Sequence, residues 1–169
     1  MERKWTLLAV VLPVAVLLDQ ITKQIAEATL PRRGTVTVVE GFFALDYSRN
    51  SGAFFSLGAD MEPVLRRVFF VGATLAAVAL IVHLYRRAGE SQRILRWALL
   101  MLLAGAVGNL VDRVLYGEVI DFLRLHYRDV FYWATFNVAD VYICVGLVLL
   151  LADVVRPSRP REAEPRASH

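Results

Sequence analysis

The chain has 169 residues, 57% of them hydrophobic, and a formal net charge of +3. One domain fits that length, but the apolar residues gather into blocks of about 20, the length that crosses a bilayer, which argues against an ordinary soluble globule. The small basic excess sits in short flanking stretches and not in a nucleic-acid patch, and a lone cysteine, Cys144, excludes a disulfide framework.

In chain order, four blocks predict membrane helices, at about residues 5–26, 64–85, 97–115 and 138–155. Helices follow because lipid offers no partner to an open backbone. The first block is too long for a cleaved leader, carries Asp19 and Lys23, and lacks a small-x-small cleavage site, so it is expected to be retained. After it, "TVTVVEGFFALDYS" alternates in the manner of strand, with Gly41 as the bend. Between the third and fourth blocks, "HYRDVFYWATF" mixes aromatics with charge and predicts a short interfacial helix. Residues 1–156 are expected to form one four-helix domain, and the Pro- and charge-rich residues 157–169 a disordered tail.

Arginine density fixes the expected sidedness. Arg3 and Lys4 precede the first block. Arg86, Arg87, Arg93 and Arg96 crowd the link between the second and third, and Arg156, Arg159, Arg161 and Arg166 follow the fourth. These places share one side, and their basic density marks it as cytoplasmic. Asp19, Lys23, Asn109, Asp112, Arg113, Asn137 and Asp140 then fall near the opposite ends of three helices, with Asp112 roughly 20 Å along its span. Intramembrane polar groups gathered at one depth point to a site at the outer boundary.

Asp121 and Asp140 are the sharpest pair. Two carboxylates brought together share a proton, so that one acts as base and the other as acid. Each could equally be an interfacial carboxylate beside an arginine, and spacing does not decide. In "DQITK", Asp19 and Lys23 stand i, i+4 and can pair on one helix face. In "AGAVGNLVDR", Ala104, Gly105, Ala106 and Gly108 allow helices to approach closely, which leaves Asn109, Asp112 and Arg113 as donors and acceptors aimed at a ligand. Asn50 and Gly52 stand in a loop that reads equally as an ordinary turn. Arg66 and Arg67 read as snorkelling charges. His83 and His126 have no ligand-spaced partners, and neither HExxH nor GxSxG occurs. A small transporter is the rival reading, weakened by the lack of an inverted repeat; a non-catalytic membrane scaffold is another.

Taken together, "DQITK", "NSGAFFS", "GNLVDR", "VIDF" and "FNVAD" resemble, in order and spacing, the bacterial lipoprotein signal peptidase (signal peptidase II) family. The departures are Ser51 and Phe54, where Thr and Ala are common. The resemblance implies an all-α membrane protein of four transmembrane helices with a small extracytoplasmic β-cradle and a short interfacial helix. It implies an aspartic endopeptidase of the bacterial inner membrane, with both termini cytoplasmic and its active site near the outer face. Such an enzyme releases the signal peptide from diacylglyceryl-modified prolipoproteins on the amino side of the lipidated cysteine. Asp121 and Asp140 would be the catalytic dyad. Asn50, Gly52, Asn109, Asp112, Arg113 and Asn137 would line the substrate site, supported by Asp19 and Lys23. No cofactor, metal or nucleic acid is expected. The expected partners are prolipoprotein and membrane lipid, and the chain is expected to work as a monomer.

Overall fold

In a computed structural model, residues 3–51, 61–128 and 130–155 are described, Arg3 by its backbone alone. Four helices are long and apolar enough to cross a membrane: α1 (Arg3–Arg33), α2 (Pro63–Arg87), α3 (Arg93–Leu115) and α4 (Val138–Val155). They cover the four predicted blocks. α1 runs seven residues past its predicted end, and its 31 residues span about 46 Å, more than the hydrocarbon thickness. The helix is therefore longer than the bilayer core requires, and its C-terminal turns carry a sheet. α2 starts cleanly because Pro63 suits the first helical position and the Glu62 carboxylate accepts from the Val64 and Leu65 amides, both at 3.0 Å.

α3 is the central helix. Ala98, Leu99, Leu100, Leu103, Ala104, Gly105, Gly108, Asn109 and Asp112 are all buried along it, whereas α1, α2 and α4 turn most of their apolar surface outward. The α3–α4 contact is a backbone-to-backbone approach. A methyl added at Gly105 would lie 2.3 Å from the Ala139 carbonyl oxygen, and one at Gly146 would lie 2.9 Å from that of Ala98. Small residues thus do what the sequence pattern predicts: they bring helices close where hydrophobic exclusion supplies no force.

The extramembrane part is an antiparallel sheet in the order β1-β2-β3-β4: β1 (Val36–Val39), β2 (Phe43–Asn50), β3 (Val119–Tyr127) and β4 (Phe131–Tyr132). Gly41 makes the predicted bend with φ 70°, in the left-handed region glycine tolerates. The sheet rests on the end of α1 through Phe122, Ala26 and Leu30, flanked by Val36, Leu45 and Tyr47. Its register places Ser48 opposite Asp121 and Asn50 opposite Val119.

One expectation is corrected. The predicted interfacial helix in "HYRDVFYWATF" is absent among the described residues. β3 instead continues through Tyr127, turns at Arg128 (φ 48°), and pairs His126 with Tyr132 and Tyr127 with Phe131. The reason is non-local. β2 already holds β3 by its other edge, and extending β3 pairs backbone groups that a helix there would have to leave. The aromatic, interfacial character survives in the hairpin, where Tyr127, Phe131, Tyr132 and Trp133 are exposed. Asp129, the first two residues and residues 157–169 lie outside the described residues.

Candidate active site

The site is assembled on the first turn of α4. Asn137 caps that helix: its Oδ1 accepts from the Asp140 amide at 3.0 Å, and Asp140 Oδ2 accepts from the Asn137 amide at 3.1 Å. This is the reciprocal arrangement of a capping box, with Asp140 at the third helical position. Asp140 is thereby held by its own helix, with its carboxylate where the helix dipole favours negative charge.

The Asn137 amide also faces β3. Its Nδ2 donates to Asp121 Oδ1 at 2.7 Å and to Asn109 Oδ1 at 3.1 Å. Asn109 Nδ2 donates to Asp140 Oδ1 at 2.8 Å. One asparagine therefore touches both carboxylates, and a second secures Asp140 from α3. Asn50, at the end of β2, donates to Asp121 Oδ2 at 3.1 Å. Asp121 and Asp140, 19 residues apart in sequence, are thus brought to one point by strand pairing and a helix cap.

A buried ammonium sets the orientation of these amides. Lys23 is fully buried, and its three N–H bonds go to Asp19 Oδ2 at 2.8 Å, Asp112 Oδ2 at 2.9 Å and Asn109 Oδ1 at 3.0 Å. An ammonium cannot accept, so Asn109 must turn its oxygen to Lys23, which aims its NH2 at Asp140. The two supporting carboxylates are completed by backbone. Asp19 Oδ1 accepts from the Ala139 amide at 2.8 Å and Asp112 Oδ2 from the Ile120 amide at 3.1 Å. Asp19 on α1 therefore holds α4, and Asp112 on α3 holds β3. The predicted Asp19–Lys23 pair is present, and Asp112 joins it with both oxygens engaged. Gly108 makes the room: a methyl there would lie 2.7 Å from Asp19 Oδ2.

Asp121 is almost wholly buried. Burial first, and the charge of Asp140 second, push its carboxyl up to about 6 from an ordinary 3.8, against the amides of Asn50 and Asn137. Arg113, partly exposed, lies within electrostatic reach of Asp140, Asp112 and Asp121. Its guanidinium stacks over Phe70 at 5.7 Å and makes no hydrogen bond to another described residue. Its five donors are thus available to an incoming group. Gly52 lies outside the described residues.

Two features escaped the sequence reading. Gln20 Nε2 donates to Asp112 Oδ1 at 2.9 Å and to the Gly108 carbonyl at 3.1 Å. Its signal was a polar side chain three residues before Lys23 inside an apolar block. Arg49, next to Asn50, pairs with Glu27 on α1 and lies 3.9 Å from Glu118, so β2 is tied to the end of α1. That pairing had no local signal, since its members stand 22 residues or more apart.

Residues 11–156 match the model of the family described as signal peptidase (SPase) II. The chain is similar to a lipoprotein signal peptidase of Geobacter metallireducens, 40% identical over 94% of this chain and 96% of the relative. It is also similar to one of Geobacter sulfurreducens, 39% identical over 86% and 89%. Among solved structures, a bacterial membrane enzyme superposes with a TM-score of 0.78 at 25% identity, covering 90% of this chain and 95% of that one. A second superposes with a TM-score of 0.77 at 27% identity over 94% and 95%.

Proposed function

Since this multi-pass membrane chain belongs to the signal peptidase II family, we propose that it hydrolyses the signal peptide from diacylglyceryl-modified prolipoproteins with Asp121 and Asp140 as its working carboxylates. Membership makes it an enzyme, which sets aside the transporter and the scaffold. The observation that carries the dyad is the Asn137 side chain, whose amide binds Asp121 at 2.7 Å and whose oxygen takes the Asp140 amide at 3.0 Å.

The different surroundings of the two carboxyls support different roles in the proposed reaction. Asp140 sits in the first turn of α4, where it accepts from the Asn137 backbone amide and the Asn109 side-chain amide, and it is given the role of base. Burial and the charge of Asp140 together push the Asp121 carboxyl up to about 6, and it is given the role of acid. In the proposed reaction, Asp140 takes a proton from water as the oxygen attacks the scissile carbonyl. Asp121 donates its proton to the carbonyl oxygen. The tetrahedral intermediate collapses when the C–N bond breaks, the amine leaving with the proton held by Asp140 while Asp121 recovers its own. Neither step needs a covalent enzyme intermediate.

Arg113, Asn50 and Gly52 are proposed to hold substrate backbone, the guanidinium offering a planar fork to carbonyl oxygens. Asn109 and Asn137 border the substrate and fix the carboxylates. Asp112 belongs with Asp19 and Lys23, because its oxygens are engaged within the bundle. The cut falls on the amino side of the lipidated cysteine, whose acyl chains remain in the bilayer between helices. The basic residues Lys4, Arg86, Arg93 and Arg96 lie at the bundle end opposite the carboxylates. This supports cytoplasmic termini and a site at the outer face of the bacterial inner membrane. Every group in the scheme comes from one chain, which supports a working monomer. The reading is tested by incubating purified protein with lipidated and unlipidated prolipoprotein and following the mobility shift on a gel. It predicts cleavage of the lipidated form, and an intact lipidated substrate would refute it.

A further inference from the structure

At the end of the bundle away from the carboxylates, a cavity of about 470 Å³ opens between the start of α1 and the start of α3. Its walls divide by chemistry. Leu7, Val10 and Val11 on α1 give it an apolar side, and Arg93, Arg96 and Glu90 a charged one, with Trp97 beside them. Two arginines against one glutamate leave a net charge of +1 at the cavity. Arg96 is more than nine-tenths buried. It donates to the Glu90 carboxylate at 3.0 Å and to the Glu90 carbonyl at 2.7 Å, while its buried Nε has no partner. Burying a guanidinium costs free energy unless all its donors are used, so this Arg96 remains a donor short. The Glu90 side chain is 58% exposed, so an incoming anion can share or replace it on Arg96. The cavity also lies at the N-terminus of a 23-residue helix, where Gln92 provides no side-chain cap; its amide oxygen is turned to the Gly89 amide instead. Helix N-termini attract anions.

We propose that this cavity binds the phosphate of an anionic glycerophospholipid from the leaflet on that side, the headgroup between Arg93 and Arg96 and one acyl chain along Leu7, Val10 and Val11. A soluble phosphate would satisfy the arginines but leave the α1 wall without an occupant. A lipid satisfies both, and Trp97 suits the depth at which headgroup meets chain. Basic pockets between helices at a membrane surface take anionic headgroups on the same grounds. The proposal is independent of the hydrolytic reading, because none of these residues belongs to the carboxylate site.

The test uses full-length protein stripped of lipid in neutral detergent. Retention of added phosphatidylglycerol and of phosphatidylcholine is measured by native mass spectrometry, and thermal unfolding is followed with each lipid and with inorganic phosphate. Phosphatidylglycerol is expected to be retained in preference to phosphatidylcholine and to raise the melting temperature, and phosphate alone is not. Arg93→Gln, at an exposed position that folding does not depend on, is expected to weaken phosphatidylglycerol retention about fivefold. Arg87→Gln, which removes the same charge from the same end outside the cavity, is expected to leave it unchanged. Equal retention of the two lipids, equal weakening by the two variants, or a shift with phosphate alone would each overturn the proposal.

Discussion

A single carboxyl shows how the site's chemistry is bound to its stability. Asp121 titrates near 6 in the folded chain, against an ordinary 3.8, so between those values the folded state binds a proton that the unfolded state does not. The contribution of Asp121 to stability is therefore greatest below about pH 4 and is lost as pH rises through about 6, by at most about 3 kcal/mol. Asp121→Asn removes that burden. It is expected to raise the melting temperature at pH 7 and to have no effect near pH 4, as thermal unfolding in detergent would record. In the proposed mechanism the same titration would govern activity. If the proton on Asp121 serves as the acid, kcat/KM declines as pH climbs through about 6, and the limb in kcat lies higher because bound substrate adds burial. Asn137 invites a sharper separation of roles. Asn137→Ser keeps a capping oxygen but loses the amide donated to Asp121 and Asn109. Folding stability should change by less than about 1 kcal/mol while kcat falls about a hundredfold from misplaced carboxyls; an equal loss in both would make Asn137 a cap and nothing more. At this scale much was legible. Asp19, Lys23, Asn109, Asp112, Asn137 and Asp140 are polar residues in or at the ends of apolar blocks, where lipid forbids them without cause. Their partners were not legible: that Asn109 turns its oxygen to Lys23, or that Asp112 faces inward, follows only from a three-dimensional count of donors and acceptors.

Between elements, the site depends on how closely α3 and α4 approach. Gly105→Ala would place a methyl 2.3 Å from the Ala139 carbonyl oxygen, against backbone that has no rotamer to yield. α4 must then move, at a cost of about 1–3 kcal/mol. Because Asn109 and Asp140 ride on the two helices, kcat should fall along with the melting temperature. A fully active, equally stable Gly105→Ala would show that the contact is slack. The helix boundaries were readable because length and hydropathy alone decide what spans a bilayer. The strand-like run around Gly41 was readable because its alternation is local. The hairpin at 126–132 was not: its residues suit an interfacial helix, and only pairing with β2, through Phe43 and Leu125, makes continued strand the better use of the backbone. The same holds for Arg49 and Glu27, joined across the gap between β2 and α1.

For the molecule as a whole, Lys4, Arg86, Arg93 and Arg96 lie at the end of the bundle away from Asp121 and Asp140, and in the proposed topology that end faces the cytoplasm. Single cysteines placed at Arg49 and at Tyr127 are expected to react with an impermeant thiol reagent in intact cells, and one in the C-terminal tail is not. The background must be Cys144→Ser, since Cys144 is exposed on α4; labelling of the tail alone would invert the topology. The division of labour across the fold is then simple. α3 with α4 fixes the site, α1 braces it through Asp19 and Lys23, and the sheet delivers Asp121 and Asn50 to it. The central claim is that Asp121 and Asp140 act as one unit on a lipidated peptide. The direct measurement is specific activity per folded enzyme for Asp121→Asn, Asp140→Asn and the double variant on lipidated prolipoprotein. The account predicts that each single variant loses at least about a thousandfold and that the double variant is little worse than either. Near wild-type cleavage by either single variant, from protein shown to be folded, would contradict it.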